Sequence, residues 1–171
     1  KVEDGCDRQC AYCVIPRARG RVRSRAEGSI LAELAALAAA GYKEVVLSGI
    51  NLSSYGKETG SSLGRLVQAC AGVPGIERIR LGSLEPDLMT DGEIARLAAT
   101  PKLCPQFHLS LQSGCTATLR RMRRVYTAEQ YREVARRIRQ AFGPAISFTT
   151  DVIVGFAGET EQEFCESLAF V

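Results

Sequence analysis

No stretch of this chain approaches the roughly 18 to 20 consecutive apolar residues that a membrane span needs. Its opening, Lys1-Val2-Glu3-Asp4-Gly5-Cys6, lacks the basic-then-apolar build of a secretory signal. With neither feature, the cytoplasm is the expected compartment and no membrane contact is expected. Charge of one sign is also missing: 22 Lys and Arg stand against 19 Asp and Glu, for a net charge of +3. That balance excludes a polyacidic or polybasic chain, so any basic surface has to come from local clustering. Histidine occurs once, at His108, which leaves little for a histidine-based metal site. Hydrophobic residues at 46% and charged residues at 24% exclude a disordered or fibrous chain, and 171 residues suffice for one domain with a proper core.

Cysteine is plentiful instead, with seven residues. Three of them, Cys6, Cys10 and Cys13, fall within eight residues, while Cys70, Cys104, Cys115 and Cys165 are scattered. A secreted disulfide scaffold is shorter and loop-rich. In a reducing compartment a tight cluster points to metal binding, and isolated thiols serve as small core residues.

The rest alternates strand and helix. Short apolar runs place strands at 44–49, 77–82, 107–111 and 146–154, with an opening strand at 1–4. Helical periodicity marks 26–40, where Ile30, Leu34, Leu37 and Ala38 share a face and Gly41 is the stop. Ser24 and Glu27 have capping-box spacing at its start. Residues 127–142 place Tyr131, Val134, Ala135, Ile138 and Phe142 on one stripe. Further helices are expected at 62–71, 91–99 and from near Glu159. Such alternation implies a parallel sheet with right-handed crossovers. Five strands in 171 residues give one unit per about 35 residues, the size of a β/α barrel unit. A flat doubly wound sheet produces the same string, and periodicity does not separate the two.

The segment Cys6-Asp7-Arg8-Gln9-Cys10-Ala11-Tyr12-Cys13 has C-x3-C-x2-C spacing. Four thiolates saturate a cubane iron–sulfur cluster, so three leave one iron open to a ligand. Zinc is the rival metal, but zinc knuckles come as separated C-x2-C pairs and no fourth ligand follows here. This spacing, with Tyr12 just before the third cysteine, resembles the radical S-adenosylmethionine (SAM) superfamily. The resemblance implies a 4Fe-4S cluster on Cys6, Cys10 and Cys13 whose open iron chelates the methionine end of SAM. An electron from the cluster then releases a 5′-deoxyadenosyl radical. It also implies a fold: an α/β partial (β/α)6 barrel, here truncated to about five β/α units.

Other segments take expected roles from the same resemblance. Ser48, Gly49 and Asn51 follow the second strand, where the superfamily has its SAM-holding glycine-rich loop. Ser83 and Glu85 follow the third strand, with Pro86 biasing Glu85 toward an extended backbone, and Glu85 is either a SAM ligand or a solvated surface carboxylate. Ser110 and Gln112 end the fourth strand as further polar contacts. Residues 151–159 resemble the fifth-strand motif, whose backbone near Val154 would bind adenine, with Ala157 where proline is usual. Two arginine runs, Arg17, Arg19, Arg21, Arg23 and Arg25, then Arg120, Arg121, Arg123 and Arg124, form a candidate phosphate-binding patch. Arg17, Arg19 and Arg123 are its candidate substrate contacts.

The strings at Val2–Cys6, Ile15–Arg25, Ser83–Pro86, His108–Gly114, Met122–Thr127 and Asp151–Phe156 together resemble the radical SAM methylthiotransferases, most of all the MtaB type. That type adds a methylthio group to C2 of N6-threonylcarbamoyladenosine beside the tRNA anticodon. The implied partners are tRNA and an electron donor such as flavodoxin or ferredoxin. A second 4Fe-4S cluster is implied in an N-terminal domain, and a C-terminal domain helps grip RNA. Neither domain is expected within these residues, which read as a fragment holding the radical SAM core over 1–171. The MiaB type, acting on isopentenyladenosine, and the RimO type, acting on a ribosomal-protein aspartate, are the related alternatives. A zinc- or RNA-binding module without SAM chemistry is the non-enzyme alternative.

Overall fold

Along residues 44–47, 78–81 and 106–108, buried apolar residues alternate with polar or open ones. The computed structural model describes residues 1–171. It begins with β1 (Glu3–Asp4), the short helix α1 (Ile15–Arg19), β2 (Arg23–Ser24) and helix α2 (Glu27–Ala39). Then come β3 (Glu44–Leu47), α3 (Leu63–Ala71), β4 (Arg78–Leu81) and α4 (Asp91–Ala98). The last part holds β5 (Gln106–His108), α5 (Thr116–Arg121), α6 (Ala128–Phe142), β6 (Ser147–Thr149) and α7 (Glu161–Phe170).

Pairing is parallel between β3 and β4 and between β5 and β6. Parallel bridges Ile79–Leu103 and Leu84–Leu109 join the two pairs, and Gln112–Val152 extends the last. Val2 N–H donates to the Ser48 carbonyl at 2.8 Å, which sets β1 beside the end of β3. The strand order is therefore β1-β3-β4-β5-β6, with β2 added antiparallel to β1. Val45, Leu47, Ile79, Leu81 and Phe107 bury one face of this sheet, while Val46, Arg78, Ser147 and Thr149 leave the other open. On the buried side α2 packs on α3, α3 on α4, and α4 on α6. A doubly wound sheet would need helices on both faces. One continuous helical layer outside and one open inner face make an incomplete barrel, which resolves the choice that periodicity left open.

Five strands and five helices fall where the patterns place them. Gly41 ends α2 at φ +92°, with Tyr42 N–H returning to the Leu37 carbonyl. The Ser24–Glu27 capping box does not form: α2 starts at Ala26 without a side-chain cap. Ser24 Oγ instead donates to Glu58 and accepts from Gly56 N–H, because β2 pairing turns it toward that loop. Reciprocal capping boxes stand at Thr127–Gln130 and Thr160–Glu163. The fifth strand is shorter than 146–154, leaving residues beyond Thr149 as a loop. Helices α1 and α5 were not anticipated, being too short to show a period.

Candidate functional site

The three clustered cysteines sit on the loop between β1 and α1, and three backbone contacts pin it. Gly5 takes φ +84°, and a Cβ there would lie 2.0 Å from the Arg21 carbonyl oxygen. That close approach lets Cys6 N–H donate to the Gly20 carbonyl at 3.0 Å. At the far side Ala11 N–H donates to the Met122 carbonyl at 3.0 Å, tying the loop to the turn after α5. Cys13 N–H closes a turn onto the Cys10 carbonyl. All three thiols are free and half-buried.

They line one hollow of about 190 Å³, shared with Tyr12, Asn51, Glu85, Ser110, Gln112 and Arg124. Three sulfur donors in one hollow suit a thiolate-bound cluster. No three His, Cys, Asp or Glu side chains are gathered to hold a single metal ion. A cubane does not ask for that, because each thiolate takes its own iron. The donor set therefore fits an iron–sulfur cluster with one unligated corner better than a lone zinc ion.

Around the sulfurs runs a polar collar. Arg8 N–H and the Asn51 side-chain amide both point at Cys6 Sγ, at 3.4 and 3.7 Å. Burial pushes the Cys6 thiol above its usual value, and those two donors oppose the rise. Asn51 is buried, and its backbone N–H donates to Glu3 Oε2 at 2.8 Å. Glu3 Oε1 and Asn51 Oδ1 are buried without a partner. Glu85 is no solvated carboxylate: its side chain is 16% exposed and ion-paired with Arg124, itself 4% exposed. Its backbone is extended, as Pro86 dictates. Burial raises the Glu85 carboxyl against the pull of Arg124 and Arg8. Tyr12 stacks edge-on with Phe156, and burial pushes its phenol up to about 12.

Other expected site residues lie elsewhere. Ser48 is exposed and contributes its carbonyl to β1. Gly49 is pressed on Glu3, where a Cβ would meet Oε2 at 2.6 Å. Ser83 is exposed and outside the hollow. Val154 is 65% exposed, and its backbone N–H and carbonyl have no partner within the chain. Gln112 takes φ +69° and is held by exchange with Asp151 and Ile153. His108 faces Thr149 and Asp151.

The arginine runs divide. Arg19 and Arg23 face Asp4, Arg21 faces Asp7, Arg25 pairs with Glu33, and Arg121 pairs with Glu163. Arg17 and Arg123 make no ion pair and line a second hollow of about 490 Å³ with Gln9, Cys10, Tyr12 and Cys13. A separate hollow of about 670 Å³ between residues 86–91 and α6 contains none of the expected site residues.

Sequence reasoning placed Arg124 only in a candidate phosphate-binding run and did not single out Tyr126 or Glu3. The Met122-Arg123-Arg124-Val125-Tyr126 string carried the first two, but inward orientation depends on the turn. Arg123 adopts φ +58°, a left-handed position that a non-glycine residue reaches at a cost. That turn throws Arg123 outward and brings Arg124 in. Glu3 stands among charged neighbours in Lys1-Val2-Glu3-Asp4, so nothing in the sequence marks it as the buried one.

Residues 2–171 match the model of the Radical SAM superfamily. This chain belongs to the radical SAM superfamily. Among curated proteins it is 46% identical to a tRNA-2-methylthio-N(6)-dimethylallyladenosine synthase of Acidothermus cellulolyticus, over 98% of this chain and 34% of that protein. It is 43% identical to the threonylcarbamoyladenosine tRNA methylthiotransferase MtaB of Thermotoga maritima, over 100% of this chain and 39% of that protein. The chain thus spans about a third of the length of the curated relatives it matches. In structure, this radical SAM chain is similar to the cobalamin-dependent radical SAM enzyme OxsB, at TM-score 0.80 and 14% identity, covering 99% of this chain and 25% of that one. The radical SAM methyltransferase TsrM of Kitasatospora setae gives TM-score 0.78 at 20% identity, covering 98% and 33%. At those identities the likeness speaks for the fold alone.

Proposed function

We propose that this chain is the SAM-cleaving core of a methylthiotransferase that modifies C2 of an N6-substituted adenosine in tRNA. The carrying observation is that a hollow ringed by Cys6, Cys10 and Cys13 lies in a chain alignable over nearly its whole length with relatives named for that reaction. The three cysteines hold the cluster, and when bound the reduced cluster supplies the electron that cleaves SAM. Asn51, Glu85, Ser110 and Gln112 present polar groups to SAM from within the hollow. Gly49 and Ser48 shape the loop that carries Asn51, and Ser83 opens the segment that leads to Glu85. The unpartnered backbone at Val154 is available to adenine. Tyr12 lines the same hollow. Arg17 and Arg123 meet substrate anions, whereas Arg19 is turned to Asp4.

For the N6 substituent, N6-threonylcarbamoyladenosine suits the two unpaired guanidiniums beside Cys10 and Cys13, because its threonine carries a carboxylate. The relative at 46% identity favours the dimethylallyl substituent as the second reading. In this reading the second cluster and the main RNA grip belong to flanking domains of a longer protein. It works in the cytoplasm with a flavodoxin- or ferredoxin-type donor. The isolated 171 residues would cleave SAM without methylthiolating RNA.

Mass spectrometry of tRNA nucleosides from a strain lacking the full-length gene is the test. Accumulated N6-threonylcarbamoyladenosine with its methylthio form lost is expected, and N6-dimethylallyladenosine accumulating instead supports the second reading. Unchanged tRNA nucleosides would refute both and turn attention to a protein substrate.

A further inference from the structure

A cationic side chain with a sulfur ligand in direct reach lies deep in the collar. Arg124 Nη1 donates to Cys10 Sγ at 3.1 Å, while Nη2 pairs with the Glu85 carboxylate. Nε and Nη2 also donate to the Tyr126 hydroxyl, at 3.0 and 2.8 Å. That hydroxyl donates in turn to the Ser110 carbonyl at 2.7 Å. Every arm of the guanidinium is thus occupied, and the group has little freedom to leave the sulfur. The turn carrying it is bonded to the cysteine loop through Ala11 and Met122.

We infer that Arg124 is a positioning residue that sets the reduction potential of the cluster held by Cys10. Hydrogen bonds to the sulfurs and nearby charge are what set such potentials. A one-electron reduction adds negative charge to the cluster. A fixed guanidinium 3.1 Å from one ligand sulfur favours that reduced form, and the Glu85 carboxylate on the other side of the guanidinium tempers the effect. The burial of both side chains makes the interaction count, since low local dielectric strengthens fixed charges. An arginine guanidinium stays protonated at every accessible pH, and Glu85 lies beside this one, so it carries its full charge.

This rests on the cysteines holding a cluster, which iron and sulfide analysis of the unsubstituted chain tests separately. The deciding experiment is a redox titration followed by paramagnetic resonance on the anaerobically reconstituted chain without SAM, using dithionite as electron donor. Arg124→Gln should lower the ratio of reduced to oxidised cluster about tenfold at fixed solution potential, equal to about 59 mV for one electron. Arg124→Lys should recover part of that shift. Glu85→Gln should move the ratio the opposite way, because it leaves the guanidinium unopposed. A structural role alone would not give opposite signs. Unchanged ratios, or shifts of the same sign in Arg124→Gln and Glu85→Gln, overturn the inference. If Arg124→Gln binds no iron, Glu85→Gln decides alone. Failure of both to load a cluster also overturns it, since the pair would then serve assembly only.

Discussion

Gly5→Ala perturbs the point where the cysteine loop leaves β1, and its cost can be worked from the geometry. Gly5 adopts φ +84°, where an alanine costs about 1 kcal/mol. Its Cβ would also lie 2.0 Å from the Arg21 carbonyl oxygen and 2.6 Å from the Arg21 carbon. Both are backbone atoms, so no rotamer change relieves the contact and the loop must lift. Lifting breaks the Cys6 N–H bond to the Gly20 carbonyl, about 1 kcal/mol more, together with the packing beneath it. The total is about 3 kcal/mol, a drop in Tm of about 6 to 12 °C for a chain of this length. Gly41→Ala isolates the conformational part, because Gly41 has φ +92° but nothing within 4 Å of its would-be Cβ. It should cost only about 1 kcal/mol, or about 2 to 4 °C. Thermal unfolding by circular dichroism reads both, and iron content after reconstitution should fall in Gly5→Ala only. The same Tm in both variants, with equal iron, would refute the reasoning.

Three further outcomes are expected. Phe107→Ala removes a ring with 0% exposure that meets Phe142 edge-on at 5.0 Å. It should cost about 3 to 5 kcal/mol, seen as a lower urea midpoint at unchanged slope. Thr127→Ala removes the hydroxyl half of the capping box on α6 and should cost about 1 kcal/mol in the same assay; a change below about 0.3 kcal/mol would show that the cap carries no stability. The Arg121 guanidinium and the Thr160 backbone hold the Glu163 carboxyl down at about 2, below its ordinary 4.5. A depressed acid stabilises the fold above its ordinary value and loses that effect as pH falls toward 2. Arg121→Ala should therefore raise the midpoint of acid unfolding followed by circular dichroism, and an unmoved midpoint would count against this pair.

Elements with a long period were legible. The stripe from Tyr131 to Phe142 and the strands around Val45 and Ile79 signal themselves because burial repeats at a fixed interval. The Cys6, Cys10, Cys13 spacing was legible too, since three sulfurs on one short loop have few geometries available. Closure into an incomplete barrel was not, because strand and helix order is the same in a flat sheet. It took the exposed face of Val46, Arg78 and Thr149 to decide it. The capping box at Ser24 misled for a local reason: the residue had the right spacing, but β2 pairing had already committed it to the loop at Gly56 and Glu58.

The arginine runs show the same limit more sharply. A run of like charges invites one role for all its members, yet here the roles part with each residue's direction. Arg121 reaches Glu163, Arg123 is thrown out by its left-handed backbone, and Arg124 turns in to Glu85 and Cys10. Composition counts four equivalent cations in that run, Arg120 among them. Only the turn after α5 decides that one of them stands buried against the Cys10 sulfur, and that turn is itself fastened to the cysteine loop through Met122. Arg124 and the loop that carries the three clustered cysteines are therefore positioned by one shared contact. A change that loosens the turn should disturb both together.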